Sequence, residues 1–478
     1  MHLSFIEAAF GLGVSALAGL VANDTQTAAA VLVLVIGLKL LSTDDHMYVL
    51  QAAYAFHWLE TSIGLIYRLL TGREVPTFDI NYRPAVWISL GCCLALALGI
   101  RIGLTLLRRH DDEAPRPEFA MSMGFVVSAY VIATVFESSL ISLQEAYPSL
   151  RQIIVTADTA RLGILFLLFR RLVWPVPRWT IIAIVLTAEI ALGLTGFFAG
   201  FREPLVLAAL AIMEIFDRRS VRHWAALAVA GVFATGLGML WMSVRSEYRS
   251  NYVTLDNFEV SRQRRFENIE SLGREWLRGD ATVMWDSADK LVDRMWPVYY
   301  PALAMQRVPD LIEHSRGEIL MTALTHLVTP RIIFPNKPVL QSDSDKVRKY
   351  SGVMVAGLEQ NTTIAFGYAI EAYVDFGVPL MFVPVLVFGV IVGGLYAYFS
   401  TAIRHRDLCV AFTTVTFWTS IYLFERSWAM MLGSTLGMVI YLGAPTVLLD
   451  RILLIREVGQ RRGEAQGLDP AEGASYLN

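Results

Sequence analysis

Long apolar runs, separated by polar connections, dominate the chain. A helix needs roughly 20 apolar residues to cross about 30 Å of hydrocarbon. Twelve runs approach that length: Phe5 to Val21, Thr27 to Leu41, Met47 to Leu70, Ala85 to Leu107, Phe119 to Phe136, Ile153 to Phe169, Thr180 to Phe198, Pro204 to Phe216, Trp224 to Val244, Val378 to Phe399, Leu408 to Phe424 and Ala429 to Leu449. The second and eighth runs are short and are expected to tilt or to cross partway. Alternating strand patterns are absent, so the sequence predicts an all-α polytopic membrane protein.

Arginine is concentrated in every second connection. It follows the fourth, sixth, eighth, tenth and twelfth runs, whereas the loop after the third run, with Arg68, Arg73 and Arg83, departs from this alternation. Because short cytoplasmic loops carry the excess of basic residues, both termini are predicted to be cytoplasmic.

One large hydrophilic segment divides the chain. The predicted units are residues 1–244 with about nine membrane helices, 245–377 as a large extracytoplasmic loop, 378–450 with about three helices, and 451–478 as a cytoplasmic tail. Trp276, Trp285, Trp296 and the helical spacing from Met284 to Met305 indicate amphipathic helices that lie on the bilayer or cap the bundle.

Composition narrows the possible functions. Hydrophobic residues make up 55% of the chain and charged residues 17%, which excludes an ordinary soluble globule. The three cysteines lie inside apolar runs, and the eight histidines show no metal-binding spacing. No metal site, cofactor or nucleic-acid partner is predicted.

Ionisable residues inside membrane helices are costly, and each is therefore a functional candidate. In the predicted topology, such residues gather toward the outer side: Glu60, Glu137, Asp158, Arg161, Glu189, Arg202, Glu203, Glu371, Asp375, Glu425 and Arg426. They predict a polar cavity that opens outward. The alternative is a set of ion pairs that hold helices together, such as Asp158 with Arg161 one turn later.

The turn GFFAGFREP, from Gly196 to Pro204, is the first candidate anion site. Pro204 suits the first position of a helix, whose free N–H groups would then point at the cavity beside Arg202. A guanidinium binds phosphate through two hydrogen bonds, so a phosphate-bearing lipid headgroup is the expected ligand. The alternative is a turn closed by an ion pair of Arg202 with Glu203 or Glu137.

The stretch TPRIIFPNKP, from Thr329 to Pro338, is the second candidate and carries Arg331 and Lys337. The alternative interpretation is a rigid loop in which prolines end helices and Arg331 caps one of them.

A resemblance gives these residues a possible common purpose. The stretch GEILMTALTHLVTPRIIFPNKP (Gly317 to Pro338), then Tyr350 to Gly352, then GYAIEAYVDFG (Gly367 to Gly377), resembles the pattern of bacterial oligosaccharide repeat-unit polymerases, the Wzy-like O-antigen polymerase family. The likeness covers roughly a quarter of the chain, about Trp285 to Phe399, with the GFREP turn as a second element.

The resemblance implies a metal-independent glycosyltransferase of the GT-C type in the bacterial inner membrane. Such enzymes transfer a growing glycan from undecaprenyl pyrophosphate to a lipid-linked repeat unit on the outer face, and such systems include a chain-length regulator and export proteins. The chemistry needs cations for the departing pyrophosphate and a base for the sugar hydroxyl. The implied pyrophosphate and glycan contacts are Arg202, Arg331, Lys337, Arg348, Lys349, Glu203, Glu137 and Arg426, and the implied catalytic residues are Arg331 with Glu371 or Asp375 as the base.

Three alternatives stay open: a transporter or flippase for lipid-linked glycans, a non-catalytic assembly component, and a transferase like the O-antigen ligases. A transporter is expected to show related halves and charges through the whole membrane depth. The sequence shows neither feature.

Overall fold

The computed structural model describes residues 5–43, 48–73, 80–107, 122–146, 151–194, 200–217, 219–250, 262–329, 334, 340–360 and 362–467. Regular structure in these ranges is helical throughout, as predicted. The first nine helices are α1 (Phe5–Ala22), α2 (Thr25–Leu40), α3 (Val49–Thr71), α4 (Arg83–Leu107), α5 (Met123–Ala146), α6 (Arg151–Val173), α7 (Trp179–Leu194), α8 (Arg202–Met213) and α9 (Val221–Ser250). The later ones are α10 (Arg262–Arg278), α11 (Ala281–Met295), α12 (Tyr299–Arg307), α13 (Glu318–Val328), α14 (Asp343–Ser351), α15 (Tyr368–Phe376), α16 (Phe382–Ala402), α17 (Arg406–Ile421), α18 (Trp428–Gly437) and α19 (Ala444–Gly467).

Candidate membrane-spanning helices are present, but twelve full crossings are not supported. Within the described ranges, four helical stretches are long and apolar enough to cross a membrane: Arg83–Leu107, Val221–Tyr248, Phe382–Ala402 and Trp428–Arg456. With 16 and 12 residues, α2 and α8 are only about 24 and 18 Å long. Helices α3 and α6 have 23 residues each but carry charged side chains such as Glu60 and Asp158.

The tightest helix pair is α4 with α16, and glycines form its contact. Gly99 and Gly103 of α4 face Gly389 and Gly393 of α16, each pair spaced by four residues. A Cβ atom at Gly103 would lie 2.2 Å from the Val390 carbonyl oxygen. Small residues at this spacing let two membrane helices approach backbone to backbone. The pair therefore forms a close seam in the bundle.

The segment predicted as a large outer loop contains helices α10 to α15, but it is not a separate layer. Trp296, just after α11, is buried and donates a hydrogen bond from Nε1 to the Thr61 carbonyl oxygen in α3, at 3.0 Å. A Cβ atom at Gly64 would lie 2.0 Å from the Trp296 ring. The end of α11 is therefore packed into the bundle against α3.

Helix α17 separates two charged groups. At its start, Asp407 pairs with Arg170 and Arg171 of α6. At its far end, Tyr422 is bonded to Arg202 of α8. Sixteen helical residues place about 24 Å between these ends. The bundle thus carries polar groups at both ends of α17, and those at the Tyr422 end include several predicted site residues.

Candidate functional site

Arg202 and Arg426 converge on Tyr422, and Arg294 pairs with Glu425 beside Arg426; we call these three residues the arginine cluster. Arg202 donates from Nη2 to the Tyr422 hydroxyl at 2.8 Å, and its guanidinium carbon lies 4.8 Å from the Tyr422 ring centroid. The guanidinium carbon of Arg426 lies 5.1 Å from the same centroid. The two guanidinium carbons are therefore at most about 10 Å apart.

Backbone contacts hold the link between α17 and α18 in place. The N–H of Phe424 donates to the buried Glu60 carboxylate at 2.6 Å. The Arg426 carbonyl oxygen accepts from the Tyr368 N–H, also at 2.6 Å. Ser427 caps α18 by accepting from the Met430 N–H. Anchors from α3, α15 and α18 thus fix the backbone that carries Arg426.

A buried histidine also contacts the end of α17, just before the segment that joins it to α18. The Nδ1 atom of His57 lies 2.9 Å from the Ile421 carbonyl oxygen, and its Nε2 atom lies 2.8 Å from the Tyr368 hydroxyl. A carbonyl oxygen only accepts, so Nδ1 carries a proton, and the neutral ring accepts from Tyr368 at Nε2. His57 is fully buried, and its contacts serve to position the link.

Two glutamates form ion pairs with arginines of the cluster. Glu203 pairs with Arg202 at 2.9 Å, as the alternative interpretation of the GFREP turn had it. Glu425 accepts two hydrogen bonds from Arg294, both at 2.7 Å, and these bonds raise the pKa of Arg294 above its usual value. The side chains of Arg202 and Arg294 remain 40% and 50% exposed. Both side chains are therefore partly exposed.

Arg426 has a hydrogen-bond donor that lacks an acceptor among the described residues. It donates from Nη1 to the Thr419 carbonyl oxygen, while its buried Nε finds no acceptor in the described part of the chain. A buried donor without an acceptor is costly, and an anion would relieve that cost. The arginine cluster can thus accept an anionic group with little rearrangement of the backbone.

An apolar groove of about 440 Å³ begins two residues further along the chain. It lies between α13, α16 and α18, and its lining includes Leu324, Val387, Trp428 and Leu432. Two residues span at most about 7 Å, so the backbone of Trp428 is close to that of Arg426. An apolar groove that begins near the backbone of one arginine of the cluster suits a lipid that has an anionic head.

Glu371, a predicted base, is fully buried in an ion-pair network. Its carboxylate accepts from the Lys346 ammonium and from the Trp428 N–H, the latter at 2.7 Å. Lys346 also pairs with Asp343 at 2.7 Å, and Asp343 accepts from the Ser427 hydroxyl at 2.9 Å. Burial raises the pKa of Glu371 to about 7, although Lys346 opposes this shift. In this structure the network joins α14 and α15 to the start of α18.

Asp375, the other predicted base, holds the start of α13. Its carboxylate accepts from the Ser315 hydroxyl at 2.6 Å and from the backbone N–H groups of Ile319 and Leu320 at 3.0 and 2.8 Å. The N-cap residue of α13 is Gly317, which has no side chain to cap the helix. Asp375 supplies that capping from α15. The base roles of Glu371 and Asp375 stay predictions.

The other predicted pyrophosphate contacts have partners of their own or lie outside the described residues. In α14, Arg348 donates to the Val355 carbonyl oxygen at 2.9 Å and to Glu359, and the Lys349 ammonium lies 4.7 Å from the centroid of the Tyr350 ring. Arg331, Lys337 and the side chain of Glu137 lie outside the described residues.

The predicted outward cavity divides into two groups. Glu60, Arg202, Glu203, Glu425 and Arg426 meet at the arginine cluster. A second group holds α6 to α7: Arg161 pairs with Glu189 at 2.9 Å and lies 3.7 Å from Asp158, which is the ion pair that the alternative interpretation named.

Sequence reasoning missed Arg294 and Lys346. Their partners Glu425 and Glu371 are 131 and 25 residues away along the chain. The available signal for Arg294 was its position between Trp285 and Trp296, in the segment predicted to lie on the bilayer or cap the bundle. In the described ranges, no group of three or more His, Cys, Asp or Glu residues is arranged to hold a metal ion.

Comparison of the chain with protein-family models, curated proteins and solved structures gave no match.

Proposed function

We propose that the protein is a membrane glycosyltransferase that polymerises undecaprenyl-pyrophosphate-linked oligosaccharide repeat units on the outer face of the bacterial inner membrane. The arrangement that goes with this proposal has about twelve crossings, a GT-C-like bundle and cytoplasmic termini. The observation that carries it is the convergence of Arg202, Arg294 and Arg426 beside an apolar groove.

The arginine cluster supports the pyrophosphate part of the proposal. A pyrophosphate carries several charged oxygens, and guanidinium groups bind such oxygens in pairs. Arg202 and Arg294 are partly exposed, and each is held by one glutamate. Arg426 keeps a buried donor unused. Together these groups offer charge and free hydrogen-bond donors to the same ligand.

The groove supports the lipid part. Its described lining is almost wholly apolar, from Leu320 and Leu324 of α13 to Val387 and Ile391 of α16. Burying an isoprenoid chain there gains roughly 25 cal/mol per Å² of apolar surface. The resembling stretch TPRIIFPNKP, with Arg331 and Lys337, follows α13 in the sequence.

The reaction forms one bond and breaks one bond. The hydroxyl oxygen of the acceptor sugar attacks the anomeric carbon of the donor, and the bond from that carbon to the pyrophosphate oxygen breaks. The hydroxyl proton passes to a carboxylate, and the arginine cluster stabilises the negative charge that develops on pyrophosphate.

The proton acceptor has two sets of candidates. Glu371 and Asp375 are engaged in buried contacts, so a sugar hydroxyl reaches them only when those contacts open. Glu203 and Glu425 belong to the cluster and are each 24% exposed. Their position places them closer to a pyrophosphate bound by the arginines.

The test uses purified protein in nanodiscs with a lipid-linked oligosaccharide and no nucleotide sugar. We expect the wild type to lengthen the glycan. Arg426→Ala and Arg202→Ala are each expected to lower the rate roughly 100-fold or more, the usual loss for one donor that stabilises a developing charge. Arg426→Lys keeps the charge but loses the paired hydrogen bonds, so an intermediate rate is expected.

The matched control is Arg274→Ala, because Arg274 is 68% exposed and pairs with Glu270 one turn away on α10. It should polymerise at the wild-type rate. Full-length polymer from both Arg202→Ala and Arg426→Ala would contradict the proposal. In sealed vesicles that contain the protein, movement of the lipid-linked glycan across the bilayer without lengthening would favour the transporter alternative.

A further inference from the structure

A second cavity, of about 470 Å³, lies between the end of α3 and the first half of α11. It is lined by Arg73, Thr282, Trp285, Asp286 and Asp289. Trp285 is 46% exposed and stands among charged side chains. None of these residues belongs to the arginine cluster or to the apolar groove.

The polar groups of this cavity are held in place. The Tyr67 hydroxyl donates to Asp289, and the Arg73 guanidinium lies 3.3 Å from the same carboxylate. Arg73 also lies 5.1 Å from the centroid of the Trp285 ring. Asp289 is 15% exposed at its side chain and is thus the best-shielded carboxylate of the cavity.

The start of α11 is fixed independently. Asp280 is its N-cap and accepts from the N–H groups of Thr282 and Val283 at 3.0 and 3.2 Å. The cavity therefore combines a positioned indole, a positioned guanidinium and two carboxylates on one firm helix start.

This combination matches the chemistry of a sugar ring. The C–H face of a pyranose is apolar and packs on an aromatic face, while its hydroxyls need both acceptors and donors at the rim. Asp286 and Asp289 provide acceptors, and Arg73 provides donors. A phospholipid phosphate is disfavoured, because the two cations at the cavity are already paired, Arg73 with Asp289 and Lys290 with Asp286, which leaves no excess positive charge.

The position of the cavity relates it to the arginine cluster. Trp285 and Arg294 are nine residues apart on α11, which is about 14 Å along the helix. On α3, Tyr67 beside the cavity lies one heptad beyond Glu60 beside the cluster, or about 10 Å. Nine residues are about 2.5 helical turns, so Trp285 and Arg294 lie on opposite faces of α11, whereas Glu60 and Tyr67 lie on the same face of α3. A glycan attached to a pyrophosphate at the cluster would therefore have to extend along the α3 side to reach the cavity.

We propose that the cavity at Trp285 is a saccharide-binding subsite, which packs a pyranose ring on the indole and binds its hydroxyls with Arg73, Asp286 and Asp289. The glycan assignment rests on the proposed function, while the binding itself is measurable without any polymerisation. Trp285 would thereby set how firmly the glycan chain is retained between successive additions.

The binding test uses the full-length protein in nanodiscs and a printed panel of bacterial polysaccharide fragments. We expect the wild type to bind at least one fragment, Trp285→Ala to bind it at least tenfold more weakly, and Trp285→Phe to lie between them. Asp289→Asn should also weaken binding. The matched control is Trp224→Ala, since Trp224 is 53% exposed on α9; it should bind like the wild type with the same unfolding temperature.

The outcomes separate this inference from the proposed function. Binding to no fragment, binding to phospholipid vesicles only, or equal binding by Trp285→Ala would overturn the subsite. If Trp285→Ala loses glycan binding while Arg426→Ala still makes full-length polymer, the subsite stands and the assignment of the arginine cluster fails. If Arg426→Ala loses polymer but Trp285→Ala binds normally, the subsite alone fails.

Discussion

Replacing Lys346 with methionine tests whether the buried network at the start of α18 stabilises the bundle. The Lys346 and Glu371 side chains are 7% and 1% exposed, and Asp343 is 10% exposed. Burial by itself lowers the pKa of Lys346, but Glu371 and Asp343 outweigh burial and raise it above its usual value. Methionine keeps most of the length of lysine and removes the charge, so two buried carboxylates lose their cation.

The expected loss follows from general values. Removing one partner of a buried ion pair costs about 3–5 kcal/mol. An unfolding entropy of about 2.1 cal/mol/K per residue gives roughly 1 kcal/mol/K for 478 residues. Lys346→Met should therefore lower the unfolding temperature by roughly 3–5 °C at pH 8. Intrinsic fluorescence of purified protein in a mild detergent measures this shift.

A double variant makes the test specific. In Lys346→Met with Glu371→Gln, the glutamine oxygen still accepts from the Trp428 N–H, and only Asp343 keeps an unmatched charge. Part of the lost stability should return. The reasoning is refuted if Lys346→Met unfolds at the wild-type temperature at pH 8, or if the double variant is as unstable as the sum of the two single variants.

Two further predictions concern stability. The pKa of Glu371 is about 7 in the folded state and 4.5 ordinarily, so the folded state binds more protons than the unfolded state between these two values. Wild-type stability should therefore fall as the pH rises from about 4.5 to about 7. Glu371→Gln should flatten this fall in a pH series of unfolding temperatures, and an unchanged slope would count against the prediction. Gly393→Ala should destabilise the folded protein by about 1–3 kcal/mol, because the new Cβ would lie 2.1 Å from the Ile100 carbonyl oxygen. The control Gly231→Ala should not, because a Cβ there would have nothing within 4 Å. Equal unfolding temperatures for the two variants would argue against a tight seam.

The apolar pattern predicted helices best where the runs were long. The run Ala85 to Leu107 became α4 at Arg83–Leu107, and Val378 to Phe399 became α16 at Phe382–Ala402. Short or charged runs were poorer guides to membrane crossing, because length alone does not tell whether a helix spans the bilayer or packs within the protein. The helix α8 is an example of a short run of this kind, because its 12 residues are too few to cross the bilayer.

The site was predictable only as far as local spacing reaches. Arg202 could be found because a helix start beside an arginine is a local pattern. Glu371 and Asp375 are one helical turn apart, yet they bind different elements, the start of α18 and the start of α13. Arg294 meets Glu425 across 131 residues of chain. Such partners depend on how helices pair in space, which local periodicity does not encode.

The glycine seam also imposes an order of events during synthesis. Gly103 and Gly393 are about 290 residues apart in the sequence, and chains grow at about 5–20 residues per second. The glycine face of α4 therefore waits roughly 15–60 seconds in the membrane before α16 emerges to cover it. During that interval the face is open to any other helix with small residues at the same spacing. Insertion of α16 is consequently the step that ends the risk of mispairing, and truncations before residue 382 should leave α4 without its partner.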